Sequence, residues 1–200
     1  MQPCPVRRRG EVLREAVVAA ALTEIAERGV RGASMDSIAK RAGTGKSALY
    51  RRWPNVRALA LEVFVSTMEE ALPEQYPDTG SLRQDLLASL TTFVDALDGD
   101  LGIVLRELIS EAAHDPSLVD AFQSRFGIPK QTEVVACLQR AMARGEIPTQ
   151  PVDPYVMELP AALTVHQLLL TGSAPSHDQI EHILDAIVLP LLRTPVTVGP

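Results

Sequence analysis

Apolar residues recur in this chain at the spacing of one helix face. Almost nothing alternates at the two-residue period of a half-buried strand. Val18, Ala21, Leu22 and Ile25 fall at i, i+3, i+4 and i+7, and Met35, Ile38, Ala39 and Ala42 repeat the pattern. Breakers and caps divide the rest into helices. The sequence predicts helices over residues 10–28 (stopped by Gly29), 35–42 (capped by Ser34, ended by Gly43), 46–52 and 55–72. Further helices follow over 81–97, 101–113, 116–126 (broken by Gly127 and Pro129), then to Ala143, 154–171 and 177–192. The expected fold class is all-α, with a frayed tail from Thr194 to Pro200.

Charge divides the chain unevenly. The net charge is -6, yet residues 1–57 hold 12 Lys+Arg against 5 Asp+Glu, and the remainder holds 7 against 20. A basic head on an acidic body fits a polyanionic partner for the head alone. With 46% hydrophobic residues the chain has enough apolar material for a core, and no apolar run is long enough for a membrane span. Cys4 and Cys137 lie far apart with no metal-ligand spacing, which reads as two reduced thiols. His114, His166, His177 and His182 form no HExxH, and GxSxG, P-loop and GxGxxG patterns are missing. The reading is therefore a non-enzyme without cofactor or metal. With no export signal after Arg7, Arg8 and Arg9, it should stay in the cytoplasm.

Two short helices around a glycine turn have the spacing of a helix-turn-helix, whose second helix enters the major groove. Ala39 is the small residue where the helices touch. Gly43 tolerates positive φ, and Ile38, Leu49 and Trp53 are apolar anchors. The outer face of the second helix then presents Lys46, Ser47, Ala48, Tyr50, Arg51 and Arg52. Arg pairs bidentately with guanine and a small apolar group such as Ala48 meets a thymine methyl, whereas Lys46 and Tyr50 suit phosphate. Ser34 and Ser37 at the start of the preceding helix, Arg57 on the fourth helix and Arg7–Arg9 are further phosphate candidates.

The run SMDSIAKRAGTGKSALYRRWPN over residues 34–55, preceded by ERGV over 27–30, resembles the DNA-binding domain of the TetR/AcrR (tetracycline-repressor) family of bacterial regulators. LYRRWP over 49–54 is its most specific part. Three positions depart from the pattern: Thr44 stands for an apolar residue, Gly45 for a Ser cap and Val56 for a Lys. EAAHDP over 111–116, ARGEIP over 143–148 and VDP over 152–154 resemble an actinobacterial-type TetR C-terminal domain. The resemblance implies a helix-turn-helix head over 1–54 and an all-helical effector-binding and dimerisation domain over 55–200.

The last two helices are apolar on more than one face, which fits a homodimeric four-helix bundle formed through Val156, Leu159, Leu163, Leu170, Ile180, Leu184, Ile187 and Leu191. Helix position and the resemblance together nominate Phe64, Met68, Phe93, Leu105, Ile109, His114, Met142, His166 and Gln167 for an effector pocket. His166-Gln167 is the best polar pair in it. The expected function is a homodimeric repressor that binds a palindromic double-stranded operator and is released by a small molecule. The alternative is a constitutive or activating DNA-binding regulator with no small ligand.

Overall fold

The computed structural model describes residues 5–73, 75 and 77–194, with side chains from Gly10 onward. Its elements are α1 (Pro5–Gly32), α2 (Met35–Arg41), α3 (Lys46–Tyr50), α4 (Val56–Ala71), α5 (Leu82–Ala96), α6 (Asp100–Ala112), α7 (Pro116–Phe122), α8 (Ile128–Ala143), α9 (Pro154–Thr171), α10 (His177–Ile183) and α11 (Leu189–Arg193). No strand occurs among the described residues, and no helix of theirs is long and apolar enough to cross a membrane.

Most boundaries follow the local chemistry. Gly29 interrupts α1 with φ 69°, a backbone state that side chains with a Cβ avoid. Ser34 accepts from Ser37 N–H and closes a capping box, and Ser176 does the same with Gln179. Asn55 Oδ1 accepts from Ala58 N–H at 2.9 Å, and Asp153 caps α9 ahead of Pro154. Gly172 ends α9 at φ 81°.

Gly127 and Pro129 do not break the chain as expected. A π-turn over Gln123–Gly127 leads straight into α8 with Pro129 in its first turn, and a second π-turn over Leu184–Val188 leads into α11 ahead of Pro190. A proline lacks an N–H and crowds the carbonyl four residues back. A wider turn at that point lets the helix pass the proline without breaking.

The chain packs as two compact units, and they do not follow a cut at residue 54. One holds the residues up to Thr67 together with Gly99–Phe122, and the other holds Met68–Asp98 together with the residues from Gln123 on. The first therefore takes in most of α4 and all of α6 and α7. Val17, Ala21, Ile25, Ile38, Leu49, Leu59 and Phe64 are fully buried in it. The core of the second is built from Leu82, Leu86, Leu90 and Val94 of α5, Cys137, Leu138 and Ala141 of α8, and Ile180, Leu184, Val188 and Leu192 near the C-terminal end.

Candidate functional site

In the first unit, α2, its turn and α3 are fixed from inside. Ile38 and Leu49 are fully buried, and Met35, Ala39 and Trp53 nearly so. Gly43 takes φ 64°, and Thr44 N–H reaches back to Ala39 O at 3.0 Å, closing the turn. α3 is shorter than expected, ending at Tyr50, and Gly45 supplies no side-chain cap to its first turn. Trp53 N–H still bonds Leu49 O at 2.9 Å, so Arg51 and Arg52 remain on a helical turn.

The outer surface of α3 is open. Tyr50 is 54% exposed, Ser47, Arg51 and Arg52 are exposed, and Ala48 is half-buried. Arg51 forms no hydrogen bond or ion pair among the described residues. Arg52 donates to Gly10 O at 3.0 Å. Lys46 pairs with Asp36 on α2, an exposed pair of small net worth that a phosphate can displace. The face thus offers one free guanidinium, a phenol and small side chains, the inventory needed for reading base edges and gripping backbone.

Three phosphate candidates are occupied otherwise. Ser34 and Ser37 spend their hydroxyls on each other and on the cap of α2. Arg57 is drawn into an ion pair, its Nε 2.5 Å from Glu111 Oε2, while Arg31 Nε lies 2.6 Å from Glu111 Oε1. The buried Glu111 carboxylate is held below its ordinary range by Arg31 first and then Arg57. Glu107, one turn earlier on α6, accepts from Val30 N–H at 2.8 Å. A Cβ on Gly29 would lie only 2.7 Å from that same oxygen. Arg41 similarly bridges Glu24 and Glu27 of α1, and Glu24 is lowered by the Ser37 hydroxyl and the Arg41 guanidinium. Sequence reading missed this carboxylate frame. Its local signals were the i,i+4 pairs Glu24 with Arg28 and Glu107 with Glu111, while the partners Val30, Arg31 and Arg57 of the latter pair are remote in sequence. The side chains of Arg7, Arg8 and Arg9 lie outside the described ones, as does Cys4.

Residues 17–63 match the family described as "Bacterial regulatory proteins, tetR family", and residues 76–187 match "Tetracyclin repressor-like, C-terminal domain". The chain is 30% identical over 92% of its length to the "DNA-binding transcriptional repressor TetR" of Mycobacteroides abscessus, covering 96% of that protein. It is 28% identical to the HTH-type transcriptional regulator YdeS of Bacillus subtilis, covering 92% of each. The chain belongs to the TetR family. It is a DNA-binding transcriptional regulator. The crystal structure of the TetR family transcription regulator SCO0332 superposes with a TM-score of 0.70 at 25% identity, over 88% of this chain and 96% of that one.

In this TetR-family chain the side chains expected at an interface or in an effector pocket are spread over buried and exposed positions. Ile180 and Leu184, expected at a dimer interface, are fully buried inside the chain's own second core. Val156 packs on the same core, Leu159 and Leu163 are half-buried, and Leu170, Ile187 and Leu191 face outward. Tyr155 and Leu169, which sequence reading did not single out, are exposed as well. The pocket candidates do not converge. Phe93 borders a cavity in the second unit, whereas Leu105 and Ile109 border another in the first. Phe64 stacks on Phe122 with ring centroids 5.5 Å apart, and Met68 is fully buried. Met142 packs against the second core, and His114 and His166 are exposed. Gln167 donates to Gln179 at 3.0 Å, which ties the supposed polar pair to a helix cap instead of a pocket.

Proposed function

We propose that this regulator is a homodimeric repressor that holds a palindromic operator through two copies of α3 and lets go when a small molecule enters its second unit. The carrying observation is the open α3 face, where Arg51 stands free beside Tyr50 and Ser47 on a firmly anchored helix. Likeness to a protein named as a DNA-binding transcriptional repressor supports repression as the sign of control. Exposed Leu169, Leu170, Ile187 and Leu191 on the C-terminal helices support self-association, because water-facing leucines on adjacent elements favour burial against a second copy. Half-site centres would then lie roughly 34–36 Å apart, or a multiple of that. A constitutive regulator needs no cavity in its body, so the cavity bordered by Phe93 favours the effector-released reading. The regulator acts in the cytoplasm, where its operator would be.

Two measurements test this together. Sedimentation of the purified chain should give a dimer, and gel-shift on genomic fragments should recover a palindromic site whose binding Arg51→Ala weakens by about 1–3 kcal/mol with the dimer intact. A monomer, or unchanged affinity in Arg51→Ala, overturns it.

A further inference from the structure

α6 falls outside the head over 1–54 that the sequence suggests, yet it packs along α1 within the first unit. It grips α1 at one short stretch. Val30 N–H donates to Glu107 Oε2 at 2.8 Å, and Arg31 Nε donates to Glu111 Oε1 at 2.6 Å. Glu107 and Glu111 are one turn apart, so both acceptors lie on one side of α6. The stretch begins at the kink of α1, and the missing Cβ of Gly29 is what lets the Glu107 carboxylate approach so closely.

The gripped stretch leads directly into the reading element. Ala33 N–H bonds Gly29 O at 3.0 Å, and Ser34 caps α2 straight after it. At the far end of α2, Arg41 returns to Glu24 and Glu27 of α1. Thr44 N–H closes the turn to α3 on Ala39 O. α1, α2 and α3 are thus cross-tied to one another, which fixes their shape but not their pose. α4 holds α1 nearer its start, through Arg14 and Glu62 at 3.0 Å. A single hold of that kind is a pivot. The α6 carboxylates add a second hold at the other end of α1, and their charged hydrogen bonds are directional.

We infer that Glu107 and Glu111 are positioning residues for operator reading: they hold the kink of α1 so that Tyr50 and Arg51 meet the base edges in register. Neither carboxylate needs to touch DNA. Electrostatic grip on phosphates tolerates a tilted head, whereas reading base edges does not. The carboxylates therefore act on specificity more than on general affinity. The inference rests on α3 as the reading helix and needs no effector.

Two duplexes of equal length test it on the full chain by fluorescence anisotropy at fixed salt: the operator recovered with the parent, and an unrelated sequence. The readout is the ratio of the two affinities, because a changed surface charge acts on both duplexes alike. Glu107→Ala combined with Glu111→Gln should weaken operator binding about tenfold or more, the scale of one lost base contact. The unrelated duplex should bind as before or more tightly, with circular dichroism unchanged at the assay temperature. Arg31→Ala cuts the same tie from its exposed end, should lower the ratio in the same direction, and decides the matter if the double variant does not fold. Arg57→Ala frees Glu111 from α4 but spares both bonds to α1, so it should leave the ratio unchanged. An unchanged ratio in the double variant and in Arg31→Ala, with only the melting temperature lowered, overturns the inference. So does a fall for Arg57→Ala as large as for the double variant. A parent that prefers no duplex over another is a different failure: it removes α3 as the reading helix, and the inference with it.

Discussion

Both units of this regulator combine an apolar core with buried carboxylates, and they differ in what the carboxylates hold. In the first, buried or half-buried carboxylates tie distant helices. Glu24 and Glu111 each serve two guanidiniums, and Glu107 holds a backbone N–H at the kink of α1. In the second, α5, α8 and the C-terminal helices meet through an aliphatic core, buried Asp85 and half-buried Glu146 tie the start of α5 to the end of α8, and ion pairs such as Arg83–Asp185 lie at the exposed surface. Charged hydrogen bonds are directional and fix where helices sit. Aliphatic packing is tolerant of shape and leaves room for a guest.

The sharpest way to break the contrast is in the aliphatic core. Leu184→Ala should cost about 2–5 kcal/mol, measured by denaturant unfolding, whereas Leu191→Ala on the exposed side should cost little in a monomer. An equal loss for both would place Leu191 in a buried contact. Next in size is Arg51→Ala, expected to weaken operator binding by about 1–3 kcal/mol with unchanged circular dichroism. Arg57→Ala should do the reverse, acting mainly on thermal stability, because its charge is committed to Glu111.

Gly29→Ala comes third. It should cost about 1–2 kcal/mol, since it combines a left-handed backbone with a methyl pressed against Glu107. The smallest effect is a gain: Gly45→Ser supplies the missing cap of α3 and should add a few tenths of a kcal/mol.

Titration separates the two devices further. Glu24 and Glu111 are lowered in the folded chain, so the stability they lend is full above the usual glutamate value of 4.5 and is lost as pH falls through their folded values. The buried Cys137 thiol in the second core is pushed by desolvation from 9.0 to about 11, so its contribution is full below pH 9 and is lost as pH rises through 11. Thermal melts across pH 3–11 should lose stability at both ends, and Cys137→Ala should flatten only the alkaline limb.

The sequence by itself settled the helical class, the glycine turn at Gly43, the anchors Ile38, Leu49 and Trp53, and the caps at Ser34, Asn55, Asp153 and Ser176. Each of these is decided within a few residues, by backbone sterics, a cap bond or one helix face. Only the tertiary structure decided that Arg57 serves Glu111, that Ile180 and Leu184 face inward, and that Phe93 and Leu105 line different cavities. It also showed that Pro129 follows a π-turn instead of a break. Helical periodicity says which side chains share a face. It does not say which of two apolar faces meets a neighbour, because that depends on partners 50 or more residues away whose contacts the local pattern does not encode.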